Sequence, residues 1–122
     1  MINELSKQIH ENAKNKGFFD EPKNIGEMLC LIHSEVSEAL ECDRKDKHYD
    51  NETVIRVNKI ESDILFQIEF KNFVKDTFGA ELADILIRDL DLAEFKGIDM
   101  EQFIKAVMRN NSLREHKHGK KY

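Results

Sequence analysis

The chain has 122 residues, 40% of them apolar and 35% charged, with a formal net charge of −5; this suits one folded domain with a modest core and argues against a disordered tail or a second domain. A single proline, five glycines and no tryptophan leave too few turn formers for a β-sandwich, so an all-α fold is expected. The acidic balance argues against a surface that coats nucleic acid, because that task needs a broad basic face to displace counterions from phosphates.

In chain order, the first helix is expected over about residues 3–16, where Leu5, Ile9 and Ala13 recur at a spacing of four and Gly17 follows as a stop. No segment here carries the apolar core of a signal peptide, and no run reaches the roughly 20 apolar residues that span a bilayer, so a cytoplasmic protein with no membrane partner is expected. The following GFFDEPKN reads as a loop in which Phe18 and Phe19 serve as core anchors or as a lid over a ligand, and Asn24 is placed to cap what comes next. From Ile25 to about Cys42, Met28, Leu29, Ile32, Val36, Ala39 and Leu40 recur at three and four and define a long helix. On one helix Cys30 and Cys42 would stand about 18 Å apart, beyond disulfide reach, so both are read as reduced thiols filling space.

The polar run CDRKDKHYDNE is expected to form a loop. The stretch after it is ambiguous, because Ile64, Phe66, Ile68 and Phe70 alternate as in a strand whereas Val57, Ile60, Ile64 and Ile68 fit a helix. With no partner strand evident, helix is preferred. A second long helix is expected over about residues 73–95 with Gly97 at its C-terminal stop, and Asp99 caps a last helix from about Met100 to Asn110 whose stripe is Phe103, Ile104 and Val107. The expectation is therefore four to five helices in a bundle. Beyond Lys105 the chain carries Lys105, Arg109, Arg114, Lys117, Lys120 and Lys121 against Glu115 alone, a pattern that fits either a locally bound small anion or a solvated terminus.

Two patterns bear on chemistry: Glu35-Val-Ser-Glu38 in the first long helix and Glu81-Leu-Ala-Asp84 in the second. Each sets two carboxylates one turn apart. Such pairs are common on solvated helices in a chain with 24 acids, but these lean on the apolar stripes. Glu35 aligns with Ala39 and Cys42, and Glu81 aligns with Ile85 and Leu92. A buried carboxylate is costly unless it is paired or bound to a cation. With no comparable basic set expected on either helix, four converging acids would be relieved by protonation or by a metal. Oxygen-only ligands select a hard ion such as Mg²⁺, which keeps positions for water and phosphate oxygens. The competing reading is four solvent-facing acids paired with lysine or arginine.

The segments GFFDEPKNIGEMLCLIHSEVSEALE, KDTFGAELADILIRDLDLAEFKGIDMEQFI and NSLREHKHGKKY together resemble MazG-like nucleotide pyrophosphohydrolases over nearly the whole chain, with about residues 43–72 standing as a variable insert. The resemblance implies an all-α bundle completed by assembly as a homodimer or homotetramer, with Glu35, Glu38, Glu81 and Asp84 holding Mg²⁺, for which Mn²⁺ can substitute. It implies a nucleoside triphosphate substrate cleaved to monophosphate and pyrophosphate, with one of the four carboxylates, Glu38 among them, or Glu41 one turn further along orienting the attacking water. Asn111, Arg114 and Lys117 match the family's terminal substrate-binding motif, and Phe19 and Lys105 are further candidate substrate contacts. Where the family commonly carries a lysine and a tyrosine four and one residues before that asparagine, this chain has Val107 and Asn110, a departure that bears on base selectivity and phosphate contacts. Other readings are a phosphoribosyl-ATP pyrophosphohydrolase, a nucleotide-binding module of the same fold without catalysis, and a plain oligomerisation domain. His116 and His118 as transition-metal ligands, and His33 as a partner of the carboxylates, are weaker candidates than their solvated readings.

Overall fold

A computed structural model describes all residues, 1–122. The chain is all-helical, with no strand: α1 (Ile2–Asn15), α2 (Ile25–Arg44), α3 (Asn51–Asn58), α4 (Asp63–Phe73), α5 (Phe78–Phe95), α6 (Met100–Leu113) and a short 3₁₀ turn, His116–Gly119. Six α-helices exceed the four to five expected, and the difference lies in the ambiguous middle segment. Helix is correct there, but Ser62 accepts from the Leu65 amide and starts a new helix after Asn58 instead of letting one run through. No helix is long and apolar enough to cross a membrane.

The residues group into two compact units, Met1–Pro22 with Leu90–Tyr122, and Lys23–Asp89. In the first, α1 ends where Gly17 takes φ +85, and Asp99 caps α6 by accepting from the Gln102 amide. Of the expected α1 stripe, Ile9 and Ala13 are half-buried, but Leu5 is not covered. Leu5 is exposed and Ser6 is buried, with its hydroxyl donating to the Leu90 carbonyl at 2.6 Å. A small side chain lets the α1 backbone approach α5, and the hydroxyl satisfies its own donor while doing so. Leu90 and Ala93 are the buried apolar residues of this unit. Beside them His10 pairs with Asp91 at 2.8 Å and meets the Phe19 ring edge-on at 4.6 Å, and Phe19 in turn packs on Phe95. The expected stripe of α6 is largely uncovered: Phe103 and Val107 are 61% and 54% exposed, and only Ile104 is half-buried.

The second unit contains the two acidic helix segments. Asn24 starts α2 by accepting from the Glu27 amide. Met28, Ala39 and Cys42 of α2 are buried, as are Val57 of α3 and Val74 after α4. Helix α3 packs on α4, where Arg56 donates to Glu69 at 2.9 Å and lies over the Phe73 ring. Helix α5 starts five residues later than the pattern from residue 73 suggested. Residues Val74–Thr77 form a turn instead, with Asp76 at φ +57 and the Thr77 hydroxyl accepting from the Ala80 amide. Apolar side chains remain exposed on all four of these helices, among them Leu29, Val36 and Leu40 on α2, Ile55 on α3, Ile64 and Ile68 on α4, and Leu82 and Leu86 on α5. The cysteines are unbridged; Cys42 is buried as expected, but Cys30 is exposed and does not fill space.

Candidate metal centre

All of the acids singled out in α2 and α5 lie in the second unit. Glu35 and Glu38 stand one turn apart on α2, and Glu81 lies in the first turn of α5. Carboxylate oxygens of Glu35, Glu38 and Glu81 lie within 4.8 Å of one another. Asp84, one turn beyond Glu81, is exposed and stands outside that set. Helical spacing thus brings three of the four expected ligands together.

Burial divides the three. Glu35 and Glu81 are 7% and 6% exposed, whereas Glu38 faces solvent. Glu35 accepts from Arg88 Nε at 2.5 Å. The expectation of no comparable basic set on either helix stands, but Arg88 gives Glu35 a single counter-charge that the expectation did not include. Arg88 lies seven residues after Glu81, about 20° from it on the helical wheel, so it projects from the same side of α5. Glu81 has no such partner among the side-chain hydrogen bonds or ion pairs. Its carboxyl is pushed up to about 7, first by burial, then by the charges of Glu38, Asp84, Glu35 and Asp76. Glu38 is raised as well, chiefly by its contact with the Glu35 carboxyl and by that group's charge. Burial and the Glu35 charge raise Asp84, and Arg88 opposes them. One arginine does not neutralise this much acid, and the remaining charge is relieved by protons or by a cation.

A cleft of about 170 Å³ opens beside the cluster, lined by Glu38, Glu81 and Asp76 on its acidic side and by Lys45 and Lys47 from the end of α2. Cys42 lies at its wall, its thiol donating to the Asp76 carbonyl at 3.3 Å, and burial pushes that thiol up. Glu41 also lines the cleft but is exposed, and it is engaged by Lys45 at 3.2 Å and Arg44 at 3.8 Å. Arg88, Asp76 and the two lysines were not anticipated from the sequence. The wheel position of Arg88 was the available signal; Lys45 and Lys47 fell in a segment read only as a polar loop.

The other candidate residues belong to the first unit. Asn111 lies in the last turn of α6, its carbonyl accepting from the Arg114 amide, and Arg114 donates to the His118 carbonyl at 3.3 Å. Lys117 and His118 both adopt left-handed backbone, at φ 52 and 53. Lys105 is exposed on α6 near Arg109 and Asn110. Phe19 packs between His10 and Phe95 as described above. In the second unit, His33 is exposed on α2.

Compared with models of known families, with characterised proteins and with solved structures, the chain matches none.

Proposed function

We propose that the protein is a divalent-cation-dependent pyrophosphohydrolase of the MazG-like kind, which cleaves a nucleoside triphosphate to the monophosphate and pyrophosphate. The observation that carries the reading is Glu81: a carboxylate 6% exposed, without a basic partner, aimed into an acid-lined cleft where Glu35 and Glu38 approach it from a second helix. A buried carboxylate with no cationic partner destabilises the fold above neutral pH unless a cation or proton compensates it. The donor set is oxygen only and partly open to solvent, which fits Mg²⁺, or Mn²⁺ in its place, better than a soft transition metal.

On this reading Glu35, Glu38 and Glu81 hold the ion, with Asp84 completing the set by a change of rotamer. Bound there, Mg²⁺ supplies positive charge to phosphate oxygens and lowers the pKa of a water. Arg88 fixes the orientation of Glu35 and leaves Glu38 and Glu81 free to bind. Glu38, the member of the three that faces solvent, is the best placed to orient an attacking water. Glu41 is a poorer base, because two cations already engage it. Asn111, Arg114, Lys117 and Lys105 enter as substrate contacts through the family resemblance. Assembly into a homodimer or homotetramer is supported by the exposed apolar rows on α2, α4, α5 and α6.

A second reading, a nucleotide-binding module without turnover, is favoured by one observation: Arg88 already occupies an oxygen of Glu35 and competes with a metal for it. Pyrophosphate release from a panel of canonical and modified nucleoside triphosphates, with Mg²⁺ and with chelator, separates the two. The enzyme releases pyrophosphate only with the metal and loses at least about a hundredfold in rate in Glu38→Gln. The binding module releases none from any member of the panel.

A further inference from the structure

Lys47 sits where α2 has just ended. The helix closes in a Schellman arrangement, with the Asp46 amide donating to the Asp43 carbonyl at 3.1 Å and the Lys47 amide donating to the Cys42 carbonyl at 2.9 Å. This end requires left-handed backbone, and the chain places Asp46 there at φ 53, where glycine is the usual residue. The Lys47 carbonyl then accepts from the Phe78 amide at 2.9 Å, the residue that opens α5. The backbone of Lys47 is therefore held on both sides, once to α2 and once to α5, the two helices that carry the acids.

Its side chain lines the acidic cleft together with Glu38, Asp76 and Glu81, yet no carboxylate lies within ion-pair distance of its amine. Neighbouring Lys45 differs, because it is spent on Glu41 at 3.2 Å. The cleft thus has an acidic floor suited to a cation and one free ammonium on a fixed backbone at its rim. A phosphate chain bridging the two would meet a metal on one side and an ammonium on the other, the pairing by which a compact lysine charge serves polyphosphate sites.

We infer that Lys47 is the residue of this site that binds the phosphate chain of the substrate, contributing a direct ammonium contact to non-bridging oxygens while the carboxylates hold the cation. The inference rests on the function proposed above. A lysine just beyond a helix C-terminus also complements the helix dipole, and stability measurements separate that role from substrate binding.

The test is calorimetric titration of the full-length chain at pH 8, first with Mg²⁺ alone and then with inorganic pyrophosphate in excess Mg²⁺, for wild type, Lys47→Met, Lys47→Arg and Lys45→Met. The expected result is Mg²⁺ affinity unchanged or tighter in Lys47→Met, because a like charge has been removed, with pyrophosphate bound about ten- to a hundredfold more weakly. Lys47→Arg retains most of the affinity, Lys45→Met loses less than Lys47→Met, and the melting temperature of Lys47→Met stays within a few degrees of wild type. Wild-type pyrophosphate affinity in Lys47→Met overturns the inference and leaves the proposed function standing. Equal loss of Mg²⁺ and pyrophosphate binding together with a large drop in melting temperature assigns Lys47 a structural role and also overturns it. Absence of Mg²⁺ binding in wild type overturns the proposed function and this inference with it.

Discussion

Replacing Glu81 by glutamine is expected to stabilise the metal-free protein above neutral pH. The Glu81 carboxyl is raised from an ordinary value of 4.5 to about 7, so the folded state favours its protonated form. The sign follows: Glu81 contributes most to stability below about 4.5, and that contribution is lost as pH rises through about 7. A rise of that size corresponds to at most about 3.4 kcal/mol, and solvent reaching the cleft from the Glu38 side reduces this to about 1–2 kcal/mol. Glutamine keeps the shape and removes the charge. In chelator at pH 8, Glu81→Gln should melt roughly 4–10 °C higher than wild type, and at pH 4.5 the two should melt together. Added Mg²⁺ should reverse the order, because wild type gains about 2.7 kcal/mol at a hundredfold excess over its dissociation constant and the variant gains much less. Thermal unfolding followed by circular dichroism at the two pH values, with and without Mg²⁺, reads all four conditions. A Glu81→Gln variant that melts below wild type in chelator at pH 8 would mean that Glu81 is already compensated within the protein and needs no cation.

Three further outcomes can be checked alongside it. Arg88→Ala strands the buried Glu35 carboxylate and should cost about 1–2 kcal/mol in chemical denaturation, a value kept below that of a fully buried pair because the Arg88 side chain is 40% exposed; wild-type stability in the variant would contradict the pairing. Leu90→Ala removes a side chain that is 1% exposed and should destabilise by about 2–5 kcal/mol in the same assay. Light scattering on the eluting peak should give a mass at least twice that of the 14.3 kDa chain, and a single-chain mass would leave the exposed rows of α2, α4, α5 and α6 without their proposed cover.

Local signals in this sequence were read well where a cap or stop residue acts alone. Asn24 and Asp99 accept the amide bonds expected of N-caps, and Gly17 and Gly97 take the left-handed backbone that ends a helix. Glu35 and Glu81 are buried as their alignment with the apolar stripes implied. Periodicity was a poorer guide to which apolar residues are covered, because it marks a face without naming what packs on it. Ser6 lies under α5 where Leu5 was expected, and Phe103 and Val107 stay in solvent. The split between α3 and α4 was missed although Ser62 is an ordinary N-cap, because the apolar period continues across it. The Arg88 contact with Glu35 joins residues 53 apart in sequence, and lysines in a polar loop carry no mark of the cleft they face until the ends of α2 and α5 are tied together.

On the function proposed above, the carboxylates of α2 and α5 serve hydrolysis of a triphosphate at the bond that frees pyrophosphate. Phosphorus NMR of a nucleoside triphosphate incubated with the purified protein and Mg²⁺ tests it most directly. The expected spectrum shows nucleoside monophosphate and pyrophosphate appearing in equal amounts, with neither forming in chelator. Formation of nucleoside diphosphate and orthophosphate, or equal turnover with the metal removed, would contradict it.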